Sequence, residues 1–168
     1  GADNTLNATE DTAYVLTAAA FGYSSTQGYT LTGVKIAGLP TNGTLKRNGV
    51  AVNLDDVISK ADSDAGKLTY QGALNGNGPN YASFQFKVQD SRAINNEDTT
   101  ANQLTFNVAS VNDAPWLANA IADQTTSKNS LYSYAVPVNA FVDVDSTLTY
   151  SATMADGSGL PSWLTFNT

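Results

Sequence analysis

The chain has 168 residues, 8 Lys and Arg against 15 Asp and Glu, a net charge of −7, and neither histidine nor cysteine. Without those two residue types there is no disulfide framework, thiolate nucleophile, zinc finger, iron–sulfur cluster or Ser-His-Asp triad. So few scattered basic residues argue against a nucleic-acid groove, and no apolar run nears the ~20 residues of a membrane span.

The residues that are present point to strands and turns. There are 20 Thr, 17 Asn, 14 Ser, 13 Gly and 13 Asp, but only 2 Glu. Thr favours strands, whereas Asn, Asp, Ser and Gly favour turns. Asp and Asn at turns also supply hard oxygen ligands, which suit calcium. In chain order, strands are predicted at Ala13–Thr17 and Thr30–Ile36. Thr44–Lys46 and Val50–Val52 follow as a hairpin across Arg47-Asn48-Gly49. Leu54–Ala61 is predicted as a short helix, and Lys67–Tyr70 as the next strand. The turn-rich run from Asn75 to Asn80 then precedes the two clearest strands. In Ser83–Asp90, Phe84, Phe86 and Val88 share one face; in Gln103–Val108, Leu104, Phe106 and Val108 do the same. Period-2 alternation with one wet face is the pattern of an antiparallel sandwich. Strands at roughly ten-residue spacing fit an immunoglobulin-like sandwich.

Without His or Cys, catalysis is left with a carboxylate pair or a Lys-assisted serine; the Asp55-Asp56 pair is such a couple, but its Leu-Asp-Asp-Val setting reads as a solvated turn or helix cap. The chain is not expected to be an enzyme.

After Val111-Asn112-Asp113-Ala114-Pro115 the pattern restarts. Tyr14 is matched by Tyr134, and Ala20-Phe21 by Ala140-Phe141, both 120 residues on. Gly38-Leu39-Pro40 is echoed by Gly159-Leu160-Pro161, 121 residues on. Three landmarks in register indicate an internal repeat. The expected organisation is a complete sandwich over 1–112 and the first part of a second over 113–168 in a longer tandem array, because the second copy stops soon after its Gly-Leu-Pro landmark. Trp163, directly after Pro161-Ser162, is expected to be buried.

Several segments together carry a resemblance. Thr9-Glu10-Asp11-Thr12-Ala13-Tyr14, Ala20-Phe21-Gly22-Tyr23-Ser24, Gly66-Lys67-Leu68-Thr69-Tyr70, Phe84 to Asp90 and the Asn-Asp-Ala-Pro junction resemble the cadherin-like tandem repeats of very large bacterial surface adhesins. The second copy is similar to the dystroglycan-type cadherin-like domain, through Phe141-Val142-Asp143-Val144-Asp145, Leu148-Thr149-Tyr150-Ser151 and Leu160 to Leu164. The resemblance implies an all-β, immunoglobulin/cadherin-like sandwich string, extracellular at the cell surface, with calcium at the domain junctions and neighbouring repeats as partners.

The candidate ligands for calcium at the middle junction are Glu10, Asn112, Asp113, Asp143 and Asp145, with Asp90 at a weaker N-terminal junction. Where such repeats carry Asp-x-Asp-Gly-Asp after Ala-Phe, the first copy has Ser25-Thr26-Gln27-Gly28-Tyr29, which removes all three carboxylates. The second copy has Asp143-Val144-Asp145-Ser146-Thr147 and lacks the third Asp. The expected function is a non-catalytic spacer or adhesion module. The alternative is a carbohydrate-binding or accessory module of a secreted polysaccharide-active protein, using exposed aromatics such as Tyr23, Tyr29, Tyr81, Trp116, Tyr132 and Trp163.

Overall fold

The computed structural model describes all 168 residues and divides into two units, Gly1–Val111 and Asn112–Thr168. Unit 1 is a two-layer β-sandwich. Its strands are β1 (Asn4–Thr9), β2 (Tyr14–Val15), β3 (Leu31–Gly38), β4 (Thr44–Arg47), β5 (Val50–Ala51), β6 (Val57–Ser59), β7 (Leu68–Gln71), β8 (Gly78–Asp90) and β9 (Asn102–Ala109). One sheet has the order β1-β9-β8-β3-β6 and the other β2-β7-β4-β5. All pairings are antiparallel except β1 with β9, which run parallel with Asn4 opposite Leu104 and Thr9 opposite Ala109. That pair departs from the expected all-antiparallel sandwich. A parallel pair needs a crossover rather than a tight turn, and here most of the sandwich lies between the two strands.

The core follows from the alternation of β8 and β9. Phe84, Phe86 and Val88 face inward from β8, and Leu104, Phe106 and Val108 from β9, while Gln85 and Gln103 are exposed. Opposite them the four-stranded sheet supplies Leu45, Leu68 and Tyr70. The rings of Tyr70 and Phe106 stack across the two layers, centroids 4.0 Å apart and 11° from parallel. Tyr14 meets Phe106 edge-on at 5.8 Å, and Phe21 meets Phe86 edge-on at 4.9 Å. Such pairs contribute about 0.5–1.5 kcal/mol each beyond their buried area.

The β4–β5 hairpin closes on two residues, Asn48 and Gly49, at φ 51° and 79°, with Arg47 opposite Val50. Both are left-handed, as the twist of a two-residue hairpin requires, and Asn-Gly is the pair that tolerates it best.

The helix expected over Leu54–Ala61 is replaced by β6, which pairs with β3, and by a single turn of helix, α1 (Lys60–Asp64), displaced toward the C-terminus. The start is set by Ser59, whose Oγ accepts the Asp62 N–H at 3.0 Å. Upstream, the β-branched Val57 and Ile58 suit an edge strand, and Ile58 is wholly buried. Asp62 ties α1 to Arg47 at the end of β4 and to Lys67 just before β7, each at 2.7 Å.

Unit 2 contains a two-stranded antiparallel ladder, β10 (Trp116–Leu117) with β11 (Phe141–Val142). Ala140 is its one buried residue. The ring of Phe141 packs on Tyr150 at 6.2 Å. Trp163 is 81% exposed, against the burial expected of it: no strand of unit 2 lies over that position. One detail repeats across the chain. Ala20 N–H donates to Thr17 O at 3.0 Å in unit 1, and Ala140 N–H donates to Pro137 O at 2.9 Å in unit 2, each partner offset by 120 residues.

Candidate metal centre

Two carboxylates are buried in unit 1, Glu10 and Asp90. The same strand periodicity puts both there. Along β1 the inward positions run Leu6, Ala8, and the next is Glu10; along β8 they run Phe84, Phe86, Val88, Asp90. Asp90 is the last inward residue of β8, and Glu10 is the first inward position past the end of β1. The registers set them at opposite ends of the sandwich. Thr9 is opposite Ala109 and Gly78 opposite Val108, so Glu10 lies where β9 ends and β8 begins, whereas Asp90 lies where β8 ends.

Glu10 is 2% exposed. Its N–H extends the ladder to Ala109 O at 3.0 Å, and its Oε1 accepts the Val111 N–H at 2.7 Å. Oε2 accepts from the Asn77 side-chain amide at 2.7 Å. Both partners are neutral, and no Lys or Arg of unit 1 forms an ion pair with this carboxylate. A buried carboxylate without a counter-cation is expensive unless something supplies one. Each oxygen accepts a single protein hydrogen bond, so each keeps a lone pair for a cation.

Unit 2 gathers the other middle-junction candidates. Asp143 Oδ1 accepts from the backbone N–H of Asp145 at 2.9 Å and of Ser146 at 2.7 Å, which closes an Asx turn. Asp145 Oδ2 accepts the Asp113 N–H at 2.7 Å, and Ser146 Oγ donates to Asn112 Oδ1 at 3.0 Å. These bonds fasten residues 112–113 to the 143–146 loop. The donors are all oxygen, the chemistry a hard cation takes, although no three carboxylates within either unit converge as a metal cluster.

Asp90, at the other end of unit 1, differs in its partner. Arg92 Nε lies 3.0 Å from each of its carboxylate oxygens, and the Arg92 backbone N–H donates to Oδ1 at 3.0 Å. The guanidinium holds the Asp90 carboxyl below the usual carboxylate range, against the opposing effect of burial. Sequence reasoning singled out neither Arg92 nor Asn77. Arg92 sits two residues beyond the inward Asp90 in an irregular connection, and only its i+2 spacing from a carboxylate hints at the pairing.

Residues 114–168 match the family model He_PIG (Putative Ig domain). The match covers nearly all of unit 2 and supports an Ig-like domain there, in keeping with the all-β sandwich of unit 1. No curated protein and no solved structure matches the chain. No helix is long and apolar enough to cross a membrane.

Proposed function

We propose that the chain is a non-catalytic stretch of tandem Ig/cadherin-like repeats, an extracellular spacer or adhesion module of a large surface protein, with calcium stiffening the segment that joins the two units. The observation that carries this reading is the recurrence of the Thr17–Ala20 turn at Pro137–Ala140, in register with the sequence landmarks around it. Two copies of one design in succession suit reach and mechanical support better than a single catalytic cleft.

Burial supports treating unit 2 as the first part of such a domain. In unit 1, Phe21 and Tyr70 pack under β8 and β9, whereas Tyr134, Tyr150, Leu164 and Phe166 of unit 2 stay 37–39% exposed. Further strands bearing the alternation of β8 and β9 would cover them.

The ligand set for calcium is Glu10 from unit 1 with Asn112, Asp113, Asp143 and Asp145 from unit 2. Support comes from the buried Glu10 carboxylate, which has only neutral partners, and from the oxygen-rich patch that Asp113 and Asp145 tie together. Calcium takes about six to eight oxygens at ~2.4 Å, and its two positive charges would offset part of the charge of the four carboxylates in the set. Val111, whose N–H donates to Glu10, is followed directly in sequence by Asn112 of that set. Thermal melting in chelator and in millimolar free calcium tests it. The expected result is a transition raised by calcium and returned by chelator; identical transitions would remove the metal.

A carbohydrate-binding module is the second reading, favoured by Trp163 at 81% exposure with Tyr132 and Tyr150 also accessible. Titration with oligosaccharides, followed by tryptophan fluorescence, separates the two: a saturable change supports sugar binding, and a flat response supports a spacer.

A further inference from the structure

The two buried carboxylates of unit 1 occupy equivalent positions at opposite ends, yet only Glu10 lacks a cation. At the Asp90 end the positive charge comes from the chain itself, and the contacts around it form a closed set. Arg92 Nε bridges both Asp90 oxygens at 3.0 Å. The guanidinium carbon lies 5.6 Å from the centroid of the Tyr29 ring, within cation–π range. Tyr29 belongs to the loop that runs from Gly22 to β3, and that loop is fastened at several points. Tyr23 Oη donates to Tyr29 O at 2.8 Å, and Tyr29 N–H donates to Ser25 Oγ at 3.2 Å. Thr30 N–H donates to Ser91 Oγ at 3.1 Å, and Ser91 N–H returns the bond to Thr30 O at 2.9 Å. On the other side, Asp90 N–H donates to Asn96 O at 2.8 Å and so draws in the far arm of the 91–101 connection.

We propose that Arg92 is a built-in counter-cation: it neutralises Asp90, carries Tyr29 on its face, and so clasps the 22–30 loop to the 91–101 connection without any metal ion. The two ends of the sandwich are thereby made different. The Asp90 end is set by the chain alone, and the Glu10 end is left with a negative charge for an external cation to meet. A neighbouring repeat would then meet a preformed surface at one end and a cation-dependent one at the other. Asp90, Arg92 and Tyr29 all lie within unit 1, so the clasp stands or falls independently of calcium at Glu10.

The test is amide hydrogen exchange on the full chain, in chelator and in calcium, for wild type, R92Q, R92K and the double variant D90N/R92Q. In wild type the amides of Tyr29, Thr30 and Ser91 are expected to be protected in chelator and unchanged by calcium. R92Q should speed their exchange by about tenfold or more while core amides of β8 and β9 hold. R92K should fall between the two, because an ammonium keeps the charge but presents no planar face to Tyr29. D90N/R92Q should recover protection relative to R92Q, since no unpaired charge stays buried; that recovery also decides the matter if R92Q proves poorly folded. Protection unaltered in R92Q, no recovery in the double variant, or a wild-type loop that needs calcium for protection would each overturn the proposal. Loss of the calcium effect on melting in an otherwise protected loop would count against calcium at Glu10 alone.

Discussion

Replacing Glu10 by Gln removes one charge and almost no volume, so its effect isolates the carboxylate. In the wild type both oxygens accept: Oε1 from Val111 N–H at 2.7 Å and Oε2 from the Asn77 amide at 2.7 Å. A glutamine offers one acceptor and one donor at the same two points. Whichever way its amide turns, one N–H meets another N–H. Rotation of the Asn77 amide would relieve the clash but give up its 3.4 Å bond to Asn75 O. At 2% exposure water does not step in. A buried donor left without an acceptor costs about 1–3 kcal/mol, while removal of the uncompensated buried charge offsets part of it, so E10Q should lose at most about that much in chelator. In calcium the gap should widen. Free calcium at about a hundred times its Kd would stabilise the wild type by ~2.7 kcal/mol, and the variant, short of its one buried anionic ligand, should gain little. Both tryptophans, Trp116 and Trp163, lie in unit 2, so unit 1 is followed by urea unfolding read through circular dichroism and tyrosine emission. A loss in chelator well above that range would refute the hydrogen-bond reasoning. Equal gains from calcium would remove Glu10 from the ligand set.

Three further outcomes follow from unit 1. Tyr70 is 1% exposed, and burial first, with the Tyr81 phenol second, pushes its pKa up to about 12 from 10.0. Above pH 10 the unfolded chain ionises this phenol while the folded one resists, so stability is full below pH 10 and falls as pH climbs toward 12, by about 1.4 kcal/mol per unit at most. Phenolate absorbance should show one tyrosine titrating last and together with unfolding, and a Tyr70 that ionised near pH 10 in the folded state would contradict it. Phe106→Ala deletes a wholly buried ring in contact with Tyr70, Tyr14 and Phe84, and should cost about 3–5 kcal/mol by urea denaturation; a loss under 1 kcal/mol would mean the core repacks freely. Gly43→Ala puts a Cβ at φ +76° into Gln71 O, so the end of the β4–β7 ladder must shift and the melting temperature should drop by several degrees; an unchanged melt would show that the turn is loose.

The parts of the fold that were legible are those where side chains alternate strongly. Phe84, Phe86 and Val88, then Leu104, Phe106 and Val108, mark their strands because every second residue is large and apolar. Asn48-Gly49 marks its turn because few other pairs tolerate two left-handed residues in a row. β1 is not legible because Asn4-Thr5-Leu6-Asn7-Ala8-Thr9 offers only Leu6 and Ala8 to the core. Its place is fixed by pairing with β9, about a hundred residues along the chain, which local pattern does not encode. β6 was hidden inside a helix-like stretch for the same reason: its partner, β3, decides its state. For the candidate site, Glu10 stands out in the sequence through the family resemblance alone, whereas the reason it is buried lies in the Leu6, Ala8, Glu10 alternation. Asn77 and Arg92 became visible only once the strand ends were placed beside them.

We propose that two Ig-like units follow one another and that a cation stiffens the join at Val111-Asn112. Backbone relaxation by nuclear magnetic resonance reads it directly, because it reports the tumbling of each unit separately on one sample. The expected result is a pair of distinct tumbling times in chelator that merge into a single, longer one as calcium is added. Two tumbling times that stay apart at saturating calcium, or a single one already present in chelator, would contradict it.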